Sequence, residues 1–356
     1  MESNFVLSKI INQNTEKGNR SIPRLPPVVD NKKIIAYSHP RSYQIRPSLT
    51  PKHETIHAYD KESKRVAGSY SCNIKDQKIN GYNKTIVYTF DYSVHPDFRR
   101  HGLFTILLRD MINKTHSNDA VISASVLKKP DSPSFKGCMN VGFRYFCDQF
   151  QYAWPSDHMI PLEPLPHGCE MQIWEEKDNK FIAERWQAAF GHWNFIPQDF
   201  NELLSYNQKY IAGTYFAQMR HGDTVSEASI SVWNSDLIFN LSSGSADKSH
   251  RQLFSCYSMG EHGDFVFEQL LKHVNNHQHQ QGVNFLFAGF SEFDPIRKHF
   301  PLFRSIKTLD FAHIIYTSSE EEWNFLQQKK QVVPVYNDPR DYGILTLLRD
   351  TPLASL

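Results

Sequence analysis

The chain has 356 residues, about twice the size of an ordinary domain, so we expect two domains. Apolar residues make up 40% of it and charged residues only 22%, which supports hydrophobic cores and excludes a wholly disordered chain. Lys and Arg number 39 and Asp and Glu 38, a formal net charge of +1 that argues against a general nucleic-acid binder.

The cysteines are scattered and none is spaced CxxC, which disfavours a disulfide framework or a zinc site. They are Cys72, Cys138, Cys147, Cys169 and Cys256. No run approaches the roughly 20 apolar residues of a membrane span, and the start MESNFVLSKIINQNTEKGNR lacks the pattern of a signal peptide. We therefore expect reduced thiols and a cytoplasmic protein, with export by a specialised secretion system left open.

The first half of the chain predicts a sheet with one helical crossover. Residues 1–34 are polar and end in a proline-rich stretch, so they are expected to form an arm or linker. The predicted order is a strand, a hairpin, a central strand rich in β-branched and aromatic residues, a helix, a strand, a short helix ending at Gly142 and a last strand. The corresponding segments are 33–38, 54–60 with 65–74, 85–94, 102–116, 120–127, 132–142 and 144–154.

The second half repeats this order after a linker at 159–175 that contains three prolines. A hairpin, a strand, the amphipathic helix DFVFEQLLKHVNNHQHQQ, a strand, a short helix and a final strand follow one another. We predict a mixed α/β (α+β) protein with two similar domains, each a mainly antiparallel sheet flanked by helices. The predicted domains are 35–158 and 176–356.

The stretch VHPDFRRHGLFTILL, from Val94 to Leu108, carries the sharpest chemical signal. A strand ends, a loop brings two arginines and a glycine, and a helix begins. The unpaired N–H groups and positive dipole of a helix N-terminus bind anions, and arginine suits phosphate. The segment predicts a pyrophosphate cradle, although it is neither a Walker loop nor a dinucleotide fingerprint.

This stretch resembles motif A, [QR]xxGx[GA], of the GNAT N-acetyltransferase superfamily. Arg99 and Gly102 match its fixed positions, Val94 and Pro96 match the usual VxP lead-in, and Phe104 stands where Gly or Ala is usual. The resemblance extends from about residue 54 to residue 154 and includes SFKGCMNVGF, which is similar to the family's helix followed by GF.

The resemblance implies acetyl-CoA, or another acyl-CoA, as the donor. Two arginines and four backbone N–H groups would hold the pyrophosphate, and a strand backbone would pair with the pantetheine arm as an added β-strand does. The implied pyrophosphate residues are Arg99, Arg100, His101, Gly102, Leu103 and Phe104. The implied pantetheine residues are Ser93, Val94 and His95.

Acyl transfer to an amine needs a base for the amine and an acid for the leaving thiolate. Asp91 is the first candidate base and would act through water. The alternative is that Asp91 only shapes the strand. Phe90 stands where the family often has Glu. Cys138 stands where the family usually has the Tyr that acts as general acid, so it is a candidate acid. The alternative is that Cys138 is a buried structural thiol. Tyr145 is a second candidate acid, and His95 is a candidate proton shuttle or a solvated loop residue.

The second half lacks the cradle. Gly263 is present at the matching point, but no arginine precedes it, and Glu261 and Asp264 would repel a pyrophosphate. We expect no CoA there, and a degenerate copy that walls the acceptor cleft.

Two residue clusters of the second half have a functional and a structural interpretation. His273, His277 and His279 have spacings that can chelate, but solvated histidines at a polar helix end are favoured, so no metal is predicted. The aromatic cluster is expected to be core, with an acceptor pocket as the alternative. Its members are Trp186, Phe190, Trp193 and Phe195.

The sequence thus predicts an acetyl-CoA-dependent N-acetyltransferase that acts on a primary amine by direct attack in a ternary complex. A small molecule, an amino sugar or a protein amine remains open as acceptor. The alternatives are a non-catalytic binding or regulatory protein of the same fold, or an acyl or aminoacyl transferase with another donor.

Overall fold

The computed structural model describes residues 4–9, 28–30, 33–38, 45–116, 120–128, 132–243, 246–302, 307–328 and 333–341. Contacts between Cα atoms divide the chain into two compact units. Unit 1 comprises Met1–Pro26, Arg41–Gln149 and Asp310–Val332. Unit 2 comprises Pro27–Pro40, Phe150–Leu309 and Val333–Leu356.

The described strands are β1 (Phe5–Lys9), β2 (Val28–Asp30), β3 (Lys33–Ser38), β4 (His53–Asp60), β5 (Val66–Ile79), β6 (Tyr82–Val94), β7 (Val121–Leu127), β8 (Arg144–Pro155), β9 (Cys169–Glu176), β10 (Ile196–Pro197), β11 (Ile211–His221), β12 (Thr224–Trp233), β13 (Asn240–Ser243), β14 (Ala246–Asp247), β15 (His250–Met259), β16 (Phe285–Ser291) and β17 (Lys307–Tyr316). The α-helices are α1 (Leu103–His116), α2 (Pro133–Asn140), α3 (Asn179–Phe190), α4 (Phe200–Tyr206), α5 (Gly263–Gln280) and α6 (Glu320–Gln327). Short 3-10 helices span Pro47–Leu49, Pro96–Phe98, Gln208–Tyr210, Ser235–Leu237 and Pro295–Leu302.

Unit 1 is a mixed sheet in the order β1-β4-β5-β6-β7-β17-β8. The pairs β1–β4, β4–β5, β5–β6 and β7–β17 are antiparallel, and β6–β7 is parallel. Helix α1 buries Leu103, Leu107 and Met111 in the apolar core of this unit, together with Ala67 and Tyr70 of β5. The helix predicted over 102–116 and the strand predicted over 85–94 are confirmed as α1 and β6.

Unit 2 repeats this plan, in the order β9-β11-β12-β15-β16-β8. The first three neighbouring pairs are antiparallel and β15–β16 is parallel. Helix α5 has the role of α1 and buries Val266, Leu270 and Val274 in a second core. The predicted fold class, two units each with a mixed and mainly antiparallel sheet flanked by helices, is confirmed.

Both units carry the same irregularity in the strand before the crossover helix. Asp91 in β6 has φ +53° and Ser255 in β15 has φ +47°, and the register shifts at both places because one extra residue forms a β-bulge. A hydrogen bond of 3.0 Å flanks each bulge on the neighbouring strands, Thr55–Ser71 in unit 1 and Thr214–Ser231 in unit 2. The repeat that the order of elements predicts thus extends to backbone detail.

The units differ from the predicted domains 35–158 and 176–356 in several segments, one of them residues 150–158, which belong to unit 2. Strand β3, expected in the first domain, pairs with β13 in unit 2, and β17, expected in the second, pairs with β7 in unit 1. Part of the predicted arm 1–34 is strand β1, which pairs with β4. Alternating hydrophobicity shows that a segment is a strand and which face is buried, but it does not identify the neighbouring strand.

The predicted linker 159–175 is bound to unit 2 along part of its length. Its backbone N–H groups at Ile160 and Glu163 donate to Asn276 (2.7 Å) and Gln269 (2.8 Å) of α5. The Glu163 carboxylate also pairs with Lys272 at 2.6 Å. Strand β9 begins at Cys169, inside the predicted linker.

Candidate functional site

The connection between β6 and α1 is an eight-residue loop, residues 95–102, built around a 3-10 turn at Pro96–Phe98. His95 caps this turn, since the N–H of Asp97 donates to its Nδ1 at 3.2 Å. Arg65 pairs with Asp97 at 3.0 Å and holds the outer side of the loop. Arg99 and Arg100 are exposed, and Arg99 Nε donates to the carbonyl of Val94 at 3.3 Å. The loop therefore presents cations beside the helix N-terminus.

Gly102 turns the chain into α1 with φ +74°, a left-handed conformation that favours glycine. A Cβ built on Gly102 would meet no atom within 4 Å, so this face of the turn is open. The first helical hydrogen bond runs from the N–H of Ile106 to the carbonyl of Gly102 at 3.1 Å. The N–H groups of Leu103, Phe104 and Thr105 therefore have no helical acceptor and are available to an anion.

The sequence prediction included His101, Gly102, Leu103 and Phe104 but not Thr105. Sequence periodicity does not define the residue at which a helix begins, so it does not show which N–H groups belong to the first turn. The first turn of α1 contains no acidic residue that would compete with an anion.

The edge of β6 next to β7 opens before the cradle. The two strands pair only from Ile86 to Tyr88 on β6, and both are described throughout. His95 donates its N–H to Ala67 on β5 at 2.8 Å, so by strand alternation Ser93 and His95 direct their backbone groups towards β5. Of the three residues expected to bind pantetheine, Val94 alone directs its backbone groups away from β5, and its N–H is the group offered to a ligand because its carbonyl accepts from Arg99 Nε.

Asp91 lies at the bulge and is tied to Arg46. Its Oδ1 accepts from Arg46 Nη1 at 2.5 Å, and both side chains are largely buried. The Arg46 guanidinium lies 4.2 Å from the centroid of Phe90. Asp91 Oδ2 is buried without a hydrogen-bond partner, so one carboxylate oxygen holds the arginine while the lone pairs of the other are not used.

Tyr92 follows the bulge and packs among residues of the α1 side of the sheet. Its ring stacks on Tyr70 at 5.3 Å and meets Phe104 edge-on at 5.4 Å. Thr89 donates to the Tyr92 hydroxyl at 2.9 Å, so the Tyr92 proton is not used in that bond. Burial raises the pKa of Tyr92 well above its usual range, with a smaller effect from Cys138. The sequence analysis missed Tyr92, because only the bulge reveals which face of the strand it occupies.

The other candidate catalytic side chains are either buried or already engaged in hydrogen bonds within the protein. Cys138 is buried in α2, and burial raises its pKa to about 12. The Tyr145 hydroxyl donates to Asp148 at 2.7 Å, and the Asp148 carboxylate also pairs with Lys128. His95 uses its Nδ1 in the cap of the 3-10 turn. The stronger candidates are therefore Asp91 Oδ2, which has no hydrogen-bond partner, and the Tyr92 hydroxyl proton, which is not used in the bond from Thr89.

Phe104, the departure from motif A, fits against a glycine of the next helix. A Cβ on Gly137 would lie 2.4 Å from Cε1 of Phe104, so the ring occupies the space that a side chain at 137 would need. The bulky residue in α1 and the missing side chain in α2 are thus complementary.

In the described residues of unit 2, the connection from β15 to α5 forms no equivalent cradle. Only residues 260–262 join β15 to α5, and the first turn of α5 contains Asp264. Lys298 and His299 pair with this carboxylate, and the hydrogen bond from Lys298 holds the pKa of Asp264 below its usual range.

The histidines of α5 form protein contacts. His279 Nδ1 is 2.8 Å from the carbonyl of Ser156, and His273 and His277 pack beside Tyr215. The described residues contain no cluster of three or more potential metal ligands. Within the described ranges, no helix is both long enough and apolar enough to cross a membrane.

The predicted aromatic cluster divides into two groups. Trp186 is buried against Phe200 and Phe254 as core, and Phe195 is buried as well. Phe190 and Trp193 instead line a cavity within unit 2.

Comparisons with known proteins show which fold this chain resembles. The model of the Acetyltransferase (GNAT) family matches residues 27–129. No curated protein sequence matches the chain. N-myristoyltransferase of Saccharomyces cerevisiae with bound myristoyl-CoA is similar in structure, with a TM-score of 0.58, 10% identity, and coverage of 89% of this chain and 83% of that one. A tandem GNAT protein from the clavulanic acid biosynthesis pathway has a TM-score of 0.50, 12% identity, and coverage of 75% of this chain and 83% of its own.

Proposed function

We propose that this chain is a tandem acyltransferase of the GNAT type, and that unit 1 transfers an acetyl group from acetyl-CoA to a primary amine. The observation that carries the proposal is the cradle: an eight-residue loop with two exposed arginines and a left-handed glycine, followed by a helix whose first N–H groups are free of helical acceptors. The open edge of β6 at Val94 offers an adjoining backbone track for the pantetheine arm.

In the proposed reaction the amine attacks the thioester carbonyl directly. The tetrahedral intermediate collapses with cleavage of the C–S bond, the electron pair goes to sulfur, and the proton lost by the amine ends on the CoA thiol. Asp91 Oδ2 receives the amine proton through water. Tyr92, kept neutral by burial, offers its hydroxyl proton as a hydrogen bond to the leaving sulfur.

Acetyl is the proposed acyl group because the space between α1 and α2 is filled. Phe104 lies on Gly137, and Tyr92 and Tyr70 stack beside it. A long acyl chain on this side would have to displace these rings. Myristoyl-CoA is therefore the informative competitor in a binding test.

The test is calorimetric titration of acetyl-CoA, CoA and myristoyl-CoA into the full chain. Gly102→Glu places bulk and negative charge in the open space of the cradle and is expected to abolish binding. Gly102→Asn is the matched control, since asparagine tolerates a left-handed backbone without adding charge. A ligand present at about 100 times its Kd stabilises the native state by roughly 2.7 kcal/mol, so thermal unfolding gives a second readout.

Turnover is then measured as thiol release from acetyl-CoA with a panel of primary amines. Four of the five cysteines are buried, which keeps the protein's own thiol signal low. No binding by folded wild type refutes the proposal. Binding without turnover on any amine favours the alternative of a regulatory protein that senses acyl-CoA.

A further inference from the structure

The opening between β15 and β16 in unit 2 encloses a cavity that the proposed acyl transfer does not use. These two strands pair only from His250 to Leu253 on β15 and then diverge at the Ser255 bulge. The cavity lies between the diverging ends, next to the bulge residue on one side and Phe290 on the other. It holds about 20 Å³, which is room for one group the size of water or ammonium.

One carboxylate lines this cavity, that of Asp294, and the residue is 9% exposed. Its Oδ1 accepts from the N–H of Ile296 at 3.0 Å. No Lys, Arg or His nitrogen of the described residues lies within ion-pair distance of it. Arg297 acts on Asp294 only through its charge, since its guanidinium donates to the carbonyl of Glu292 at 3.0 Å and lies 3.9 Å from the centroid of Phe150.

The remaining walls suit a cation. The rings of Phe190, Trp193, Phe290 and Tyr336 line the cavity, and aromatic faces attract ammonium groups. The Ser255 and Tyr336 hydroxyls, 2.6 Å apart, supply acceptor oxygens. Burial raises the pKa of Asp294 to about 7, and the hydrogen bond from the N–H of Ile296 and the charge of Arg297 offset this only in part.

We propose that this cavity is a binding site for a primary alkylammonium head group, with the Asp294 carboxylate as its counter-ion and the aromatic rings as its walls. The ammonium supplies a cation within ion-pair distance of Asp294, which the described residues do not, and donates hydrogen bonds to the carboxylate and to the hydroxyl pair. The small volume selects the head group, so the alkyl chain must extend out of the cavity. The site lies wholly within unit 2 and is independent of the cradle of unit 1.

The test uses the full chain labelled with 5-fluorotryptophan and methylammonium chloride as the probe. At pH 8 the Asp294 carboxylate is ionised, while an alkylamine with a pKa near that of lysine, about 10.4, remains charged. The Trp193 resonance, assigned with Trp193→Phe, is followed by ¹⁹F NMR, with sodium chloride at matched ionic strength as reference. A saturable shift of this resonance with methylammonium, absent with sodium, is the expected result.

Two variants make the outcome specific to the site. Asp294→Asn keeps the shape and the acceptor for Ile296 but removes the charge, and is expected to weaken the apparent affinity at least tenfold. Asp264→Asn, which removes an exposed carboxylate of the same unit, is expected to leave the affinity unchanged. Equal shifts with sodium and methylammonium, or unchanged affinity in Asp294→Asn, would show that the cavity holds only water and overturn the proposal.

Discussion

The ion pair between Asp91 and Arg46 determines whether Asp91 is needed for stability, for chemistry or for both. The Arg46 side chain is only 6% exposed and that of Asp91 18%, so removing the carboxylate leaves a guanidinium charge buried beside Phe90. Breaking a buried ion pair from one side costs about 3–5 kcal/mol. We expect Asp91→Asn, which keeps a residue suited to φ +53°, to lower the free energy of unfolding of unit 1 by about 3 kcal/mol.

A double-mutant cycle separates this contribution from catalysis. Arg46→Met keeps an apolar contact with Phe90, and the double variant removes both charges, so the two effects are expected to be less than additive by about 2 kcal/mol. Urea unfolding is followed by ¹⁹F NMR of Trp323, the one tryptophan in the sequence ranges of unit 1.

The control for this cycle is Asp97→Asn, which breaks an exposed pair and is expected to cost less than about 1 kcal/mol. If Asp91→Asn is as stable as wild type while turnover falls, the carboxylate is a free base and the structural argument is refuted.

Tyr92→Phe is expected to lower kcat by about 100-fold or more with little change in the KM for acetyl-CoA, whereas Tyr70→Phe, which removes the other hydroxyl of the stacked pair, is expected to affect stability and leave kcat unchanged. Equal kcat values for the two variants would exclude the hydroxyl of Tyr92 from the reaction. Alanine normally favours a helix by about 1 kcal/mol relative to glycine. Gly137→Ala is nevertheless expected to destabilise unit 1 by about 1–3 kcal/mol, because the new methyl group clashes with Phe104. Urea unfolding of the double variant with Phe104→Leu is expected to show that the smaller side chain relieves this loss. Burial lowers the pKa of His313 in the folded protein to about 3, whereas in the unfolded chain the pKa is about 6.5. As the pH falls below about 6.5, the unfolded chain therefore takes up a proton that the folded protein does not, and the free energy of unfolding decreases. At pH 5 this one group costs about 2 kcal/mol, and His313→Gln is expected to flatten the pH dependence of unfolding between pH 6.5 and 5.

The sequence predicted the elements of both units well and their assignment to units less well. Helix α1 and strand β6 follow from apolar spacing and β-branched content, which are local properties. The places of β3 and β17 follow from long-range pairing, and their sequences, KIIAYS and KTLDFAHIIY, look like buried strands in either unit. No local signal distinguishes the two possibilities.

The donor side of the candidate site was more predictable than the catalytic side. Arg99, Arg100 and Gly102 form a contiguous motif whose chemistry depends on a strand–loop–helix turn, and the structure has that turn. Tyr92 and Arg46 could not be identified in this way. Their roles depend on the bulge, which places consecutive residues of β6 in different surroundings, and on a pairing between positions 45 residues apart.

The two units share the bulge and the diverging strands, and they differ in the chemistry placed there. In unit 1 eight residues and two exposed arginines precede α1, and the helix N-terminus has no acidic side chain. In unit 2 three residues precede α5, and Asp264 already provides the negative charge there, paired with Lys298. A pyrophosphate would have to displace that carboxylate, so we expect the shortened loop and the acid to disfavour the donor in unit 2. Unit 2 keeps the diverging strands, however. The charged group beside them is the buried carboxylate of Asp294, which suits a cation, whereas unit 1 has arginines, which suit an anion. We therefore propose that the same backbone irregularity supports an anion cradle in one unit and an ammonium site in the other.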